Sequence, residues 1–232
     1  MKDFNDIGIA RQLDLPRIKK LFCIGLFASV LHFAGDMILG WGVEDETLTG
    51  IFRMLSAYTG TSDGGIFAAT LLGLLGMALE GLSCFGVYRL IAPYSPKHAH
   101  SYRAGIFGYL LFGPCGYHVP VCALVFLTKH GFASQSALRY AAYFILPAFA
   151  LFWVFFVILE LTQIRAFAKG QTPYPKWCWV FSMPVGMLAA MLPSVLGNQP
   201  LANAFTCGWI AFGNLWMFGG LLLCLPRIPR KG

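Results

Sequence analysis

Charge is what this sequence lacks most. Only 12% of its 232 residues are Asp, Glu, Lys or Arg, against about a quarter in soluble domains. That shortage excludes an ordinary water-soluble fold. Strand-like alternation of apolar and polar residues is also missing, which excludes a transmembrane β-barrel. The seven cysteines (Cys23, Cys84, Cys115, Cys122, Cys178, Cys207 and Cys224) include no C-x-x-C pair. Their number is odd and they lie in or at the edges of apolar runs, so free, buried thiols are expected rather than a disulfide framework. No small-residue cleavage site accompanies the first apolar run, which is expected to stay as a span.

What is present is apolar length. The chain is 57% hydrophobic with a mean hydropathy of +0.66. Six apolar stretches are long enough to cross a bilayer of about 30 Å as helices. They fall at about 21–41, 64–91, 104–128, 137–164, 177–196 and 203–225. The expected fold is therefore all-α: a polytopic integral membrane protein with one six-helix bundle as a single domain over 1–232.

Basic residues mark the ends of these stretches. With both termini cytoplasmic, fourteen of the 17 Lys and Arg residues fall on the inner side, leaving Arg53, Lys129 and Arg139 outside. That asymmetry is the positive-inside pattern. It explains the net charge of +7 without nucleic acid, and no nucleic-acid partner is expected. The expected location is the plasma (inner) membrane.

Between the spans the sequence predicts smaller features. Lys2, Arg11, Arg17, Lys19 and Lys20, interleaved with Phe4, Ile7, Leu15 and Ile18, suggest a short interfacial helix over 1–20, broken by Pro16. Leu48, Ile51, Phe52 and Leu55 follow helical spacing, so 46–58 reads as an amphipathic helix on the outer surface. The polar stretch 92–103, with Pro93 and Pro96, reads as a loop. Trp177 and Trp179 read as an interfacial belt.

The residues that could carry chemistry are few. His32 and Asp36 stand four apart inside the first span, hence on one helical face. Glu80 lies near the middle of the second span, on a face with Gly73, Gly76 and Ser83; small residues there let helices approach closely. His118 lies in the third span within Gly113-Pro114-Cys115-Gly116-Tyr117-His118-Val119-Pro120, where a kinked or partly unwound helix is expected. Ionisable groups at membrane depth usually face a bundle interior or a wet cavity.

At about 1.5 Å per residue, His32, Asp36, Glu80 and His118 are expected to share one layer. Two imidazoles and two carboxylates suit a divalent ion such as zinc, iron or manganese. The same set without metal, with Glu80, His118 and Asp36 as acid and base, suits proton transfer on a lipid. Asn214 and Glu160 are candidates for orienting a substrate. Cys115, His118 and Cys122 form a weaker soft-metal pattern.

The H-x-x-x-H pair that alkaline-ceramidase and adiponectin-receptor-type hydrolases carry in a late span is absent. So is the ordered motif of emopamil-binding-type sterol isomerases. The leading expectation is a membrane-embedded enzyme on a lipid or other small hydrophobic substrate, a hydrolase or an isomerase. A proton- or cation-coupled transporter comes second, and a non-catalytic membrane subunit third. Substrate and oligomeric state are not written in the sequence.

Overall fold

The computed structural model describes residues 13–225. Lys2, Arg11 and most of the expected interfacial helix lie outside them, as do Arg227, Arg230 and Lys231. Every regular element among the described residues is helical.

Helix α1 runs Leu15–Gly40. The Asp14 carboxylate accepts the Arg17 backbone N–H at 3.0 Å, and Pro16 sits in the first turn. First-turn N–H groups have no partner inside the helix, so a proline there starts a helix and does not break one. The part of the expected interfacial helix before Leu15 lies outside the described residues except for Leu13 and Asp14, which are not helical. Helix α2 is Gly50–Thr59, close to the amphipathic segment expected at 46–58. Leu55, Ala57 and Tyr58 are buried, while Leu48 stays exposed.

Helices α3, Asp63–Ser83, and α4, Phe85–Ile91, form one apolar length of 29 residues. Ser62 caps it through Gly65 N–H at 3.0 Å. Helix α5, Pro96–Phe112, passes through a π-helical turn, Pro114–His118, into α6, Val119–Lys129. The polar stretch 92–103 is thus two-thirds helix, because Pro96 occupies a first-turn position after the extended Ser95. The π turn is where Pro114 and Pro120, which bring no N–H, slacken the ladder; His118 N–H reaches back five residues to the Gly113 carbonyl at 2.9 Å.

Helix α7, Ser134–Tyr140, continues through a second π turn, Ala141–Ile145, into α8, Leu146–Ala168. Four apolar lengths can therefore cross a bilayer: 26 residues from Leu15, 29 from Asp63, 34 from Pro96 and 35 from Ser134.

The last third differs from the two spans expected at 177–196 and 203–225. The stretch 177–196 is a 3-10 turn (Lys176–Val180), the short α9 (Met183–Ala190) and a second 3-10 turn (Leu192–Leu196). Pro184 and Pro193 interrupt its ladder, and Met183–Leu196 at about 1.5 Å per residue reaches only about 21 Å. Helices α10, Pro200–Cys207, and α11, Trp209–Cys224, meet at 68°. Counted as one, they make a fifth membrane-length element.

Helix α1 packs against α3, α10 and α11, and α5 packs against α8. Two apolar clusters form, one around Phe22, Val87, Tyr102, Phe167 and Phe218, the other around Leu39, Leu55, Ala69 and Val125. The ionisable side chains lie between them. Large apolar side chains such as Phe27, Phe67, Phe107, Leu111, Tyr143 and Leu188 point outward, as expected where the surrounding solvent is lipid.

Candidate metal and proton centre

His32, Asp36, Glu80 and His118 do meet. Their relative exposures are 3%, 6%, 0% and 6%. Helix α1 contributes His32 and Asp36, α3 contributes Glu80, and the π turn contributes His118. The helices can come this close because α3 is notched. A Cβ at Gly76 would stand 2.6 Å from His32 Cβ, and one at Gly73 would overlap the His118 ring. The small-residue stripe seen in the sequence is thus the seat of the two imidazoles.

Each imidazole has one nitrogen fixed and the other turned inward. His32 Nδ1 lies 3.0 Å from Glu80 Oε2, and its Nε2 lies 3.3 Å from Asp36 Oδ2. His118 Nε2 lies 3.1 Å from the Ala69 carbonyl, which only accepts, so this nitrogen carries the proton. His118 Nδ1 then presents a lone pair, 3.9 Å from Asp36 Oδ1. The rings stand nearly perpendicular, 5.7 Å between centroids.

One atom each from His32, Asp36 and His118 lie within 4.8 Å of one another. This buried His–Asp–His group has the donor set to hold a metal ion. Bonds of about 2.0–2.2 Å at tetrahedral angles put ligand atoms roughly 3.3 Å apart, close to the His32–Asp36 separation. Glu80 is not one of the three converging donors. It holds the far nitrogen of His32, as a carboxylate behind a metal-binding imidazole does.

Glu80 Oε2 is crowded. Besides His32, it accepts the Tyr109 hydroxyl at 2.9 Å and the Asn214 amide at 3.2 Å. The Asn214 amide also reaches the Tyr109 oxygen at 3.1 Å. Four separate helices therefore converge on one carboxylate oxygen. Glu80 Oε1 and Asn214 Oδ1 are buried without a partner. Asn214, singled out in the sequence, belongs to the centre. Tyr109 was missed; its signal was spacing, since Tyr102, Ile106 and Tyr109 line one buried face of α5.

Glu160 is elsewhere. It is 2% exposed, and its Oε2 accepts the Met183 N–H at 3.1 Å, at the start of α9. It makes no hydrogen bond to the centre among the described residues. Cys122 Sγ stands 3.7 Å from His118 Nε2, the nitrogen already held by Ala69, and Cys115 is exposed. The soft-metal pattern of Cys115, His118 and Cys122 is therefore not assembled. None of the seven cysteines is joined in a disulfide.

Toward the α2 side, the Tyr58 hydroxyl pairs with the Cys207 thiol. Burial pushes the Tyr58 hydroxyl well above its ordinary value, so it stays neutral there. Gly208, at the bend between α10 and α11, lets the backbone come against Asp36: a Cβ at Gly208 would stand 3.3 Å from Asp36 Cβ.

One family profile matches residues 1–227, under the description "Family of unknown function (DUF6796)". The chain belongs to this family. No curated protein and no solved structure matches it. The family description assigns no chemistry to any residue, so the reading of the centre rests on its own geometry.

Proposed function

We propose that the protein is a membrane-embedded enzyme acting on a lipid or other hydrophobic substrate at a metal centre held by His32, Asp36 and His118. The observation that carries this reading is the pairing of each inward nitrogen with a fixed opposite nitrogen: His32 on Glu80 at 3.0 Å and His118 on the Ala69 carbonyl at 3.1 Å. Packing alone needs no such orientation, whereas metal-binding imidazoles are commonly held this way. Two nitrogens and a carboxylate suit zinc, iron or manganese.

When bound, the ion would supply Lewis acidity toward an ester or amide carbonyl. The chain's own groups would do the rest. Tyr109 and Asn214 would hold the Glu80 carboxyl group aimed at His32. Glu80 fixes which His32 nitrogen faces the ion. Helices packed on all sides exclude water. Membrane lipid is the surrounding partner, and a small hydrophobic molecule the substrate.

The topology belongs to the same proposal: six crossings with both termini cytoplasmic, in the plasma (inner) membrane. Ties at the two ends support it. Asn198 exchanges two hydrogen bonds of 2.8 Å with the Glu44 backbone, and Asn203 Nδ2 donates to the Gly42 carbonyl at 2.8 Å. At the other end, Tyr174 donates to the Leu221 carbonyl at 2.9 Å. The broken stretch between Tyr174 and Asn198 thus joins opposite ends of the bundle.

Elemental mass spectrometry of detergent-purified protein tests the centre. Near-stoichiometric zinc, iron or manganese in the wild type, lost in His118→Ala, is expected. Absence of metal in the wild type removes the metalloenzyme reading. A screen of lipid esters and amides then follows.

A second reading, a proton- or cation-coupled carrier, is favoured by one observation. Glu160 is a second sealed carboxylate, with Oε1 unpartnered, away from the centre. Proton flux into liposomes, abolished by Glu160→Gln, would support this reading.

A further inference from the structure

A cavity of about 490 Å³ opens beside α2, away from the buried centre. Its size is within the range of about 300–1,000 Å³ typical of ligand sites. One side is apolar, from Leu48, Phe52 and Leu55. The other is polar, from Ser56, Thr128 and Lys129 at the end of α6.

The polar corner has hydrogen-bonding capacity left over. Lys129 Nζ donates to the Thr61 carbonyl at 2.7 Å and contacts Asp63 Oδ1 at 2.9 Å. An ammonium has three N–H bonds, so one remains. Thr128 Oγ1 is buried with no partner; a buried hydroxyl left unmatched is costly. A cation and an unused hydroxyl that line the same apolar cavity complement a carboxylate that carries a hydrocarbon chain.

The cavity is linked to the centre through shared packing. Leu55 lines it and is 2% exposed, and it belongs to the apolar cluster that holds Ala69 and Cys122. Ala69 supplies the carbonyl that orients His118, and Cys122 touches the same ring. Three residues along α2, Tyr58 pairs with Cys207. One turn of α2 therefore separates the cavity from the Tyr58–Cys207 pair. Gly50, at φ +60°, and Gly60 flank α2.

We propose that this cavity binds a long-chain fatty acid, its carboxylate on Lys129 and Thr128 and its chain along Leu48, Phe52 and Leu55. The link to catalysis rests on the enzyme reading above: a fatty acid is the product of hydrolysing an acyl ester or amide. The binding site itself does not depend on that reading.

The test uses the full chain in phosphatidylcholine nanodiscs. Oleate competes with a dansyl-labelled fatty acid, with oleyl alcohol as the neutral control. One oleate per chain is expected, with oleyl alcohol at least tenfold weaker. Lys129→Met should weaken oleate at least tenfold, and Ser56→Trp, which fills the cavity, should abolish binding. Thr128→Val removes only the unpartnered hydroxyl and should cost severalfold; it guards against misfolding of the Lys129 variant.

Equal binding of oleate and oleyl alcohol would overturn carboxylate recognition. Oleate binding that survives Ser56→Trp would overturn the cavity as the site. Metal content is read on the same samples. Metal retained without oleate binding would reject this proposal and leave the enzyme reading standing. Oleate bound without metal would do the reverse.

Discussion

Glu80 and Glu160 invite comparison. Both are carboxylates in apolar helices, and both are sealed, at 0% and 2% exposure. Their partners differ entirely. Glu80 Oε2 accepts from His32, Tyr109 and Asn214, side chains of three other helices. Glu160 Oε2 accepts one backbone N–H, that of Met183. The first organises a cluster of titratable side chains. The second satisfies a free N–H where the chain breaks before α9, which is the ordinary need of a helix start. Burial of an acid in lipid therefore does not by itself mark chemistry; the identity of its donors does.

The largest effect expected from this difference is on metal. Glu80→Gln keeps the volume but removes the charge that holds His32, and the loss of such an orienting group typically weakens metal binding about 10–100-fold. Glu160→Gln should leave metal affinity unchanged. Competition with a chelating dye reads both. Equal losses in the two variants would end the distinction.

Overpacking gives the next effect. Gly73→Val drives a side chain into the His118 ring, whereas a Cβ at Gly64 meets nothing within 4 Å. The first should destabilise by about 1–3 kcal/mol and lose metal; Gly64→Ala should do neither. Thermal unfolding in detergent, beside metal analysis, checks this.

Stability of the two acids separates them less. Replacing Glu80 by Gln weakens the acceptor of three hydrogen bonds in a dry site and leaves its new amide N–H groups without an acceptor, at a cost of about 1–3 kcal/mol. Gln at 160 still accepts the Met183 N–H, so that variant should lose less than about 1 kcal/mol. Urea or detergent-mixture unfolding ranks them.

The smallest effect concerns an acid outside the spans. Asp45 accepts the Thr47 hydroxyl at 2.7 Å and the Thr47 N–H at 2.9 Å, and the hydroxyl first of all holds its carboxyl below the ordinary value. A depressed value in the folded state stabilises above the unfolded value of about 3.9. That stabilisation fades as pH falls through the folded value. Asp45→Ala should therefore lower the unfolding temperature slightly at pH 7, with the difference vanishing near pH 2. A difference that persists there would assign the effect to something other than the ionised carboxylate.

Much of the centre was legible before the structure. His32 and Asp36 share a face because they are four apart in a helix. Glu80 announced itself as an acid in an apolar run beside Gly73 and Gly76. Tyr109 was only half legible: its spacing with Tyr102 and Ile106 puts it on one face of α5, but nothing in that pattern pairs it with Glu80. The role of Ala69 could not be read at all, because its contribution is a backbone carbonyl. The helix start at Pro96 misled: the same residue type breaks a helix interior and opens a first turn. The stretch 177–196 misled because hydropathy measures lipid compatibility and not continuity of the hydrogen-bond ladder.

The sequence alone determined that the chain is helical, with helices long and apolar enough to cross a membrane, since long uncharged runs leave the backbone no partners but its own. It also determined which few ionisable groups would be costly enough to need partners. Only the tertiary structure decided how those groups divide. Glu80 and His118 are 38 positions apart along the chain, yet both touch His32 or Asp36 because α3 is notched by glycine and the π turn rotates His118 inward. Glu160, no less buried, was drawn instead to a broken helix end. Those outcomes depend on how helices cross and where they break, and side-chain periodicity within one helix carries no information about either.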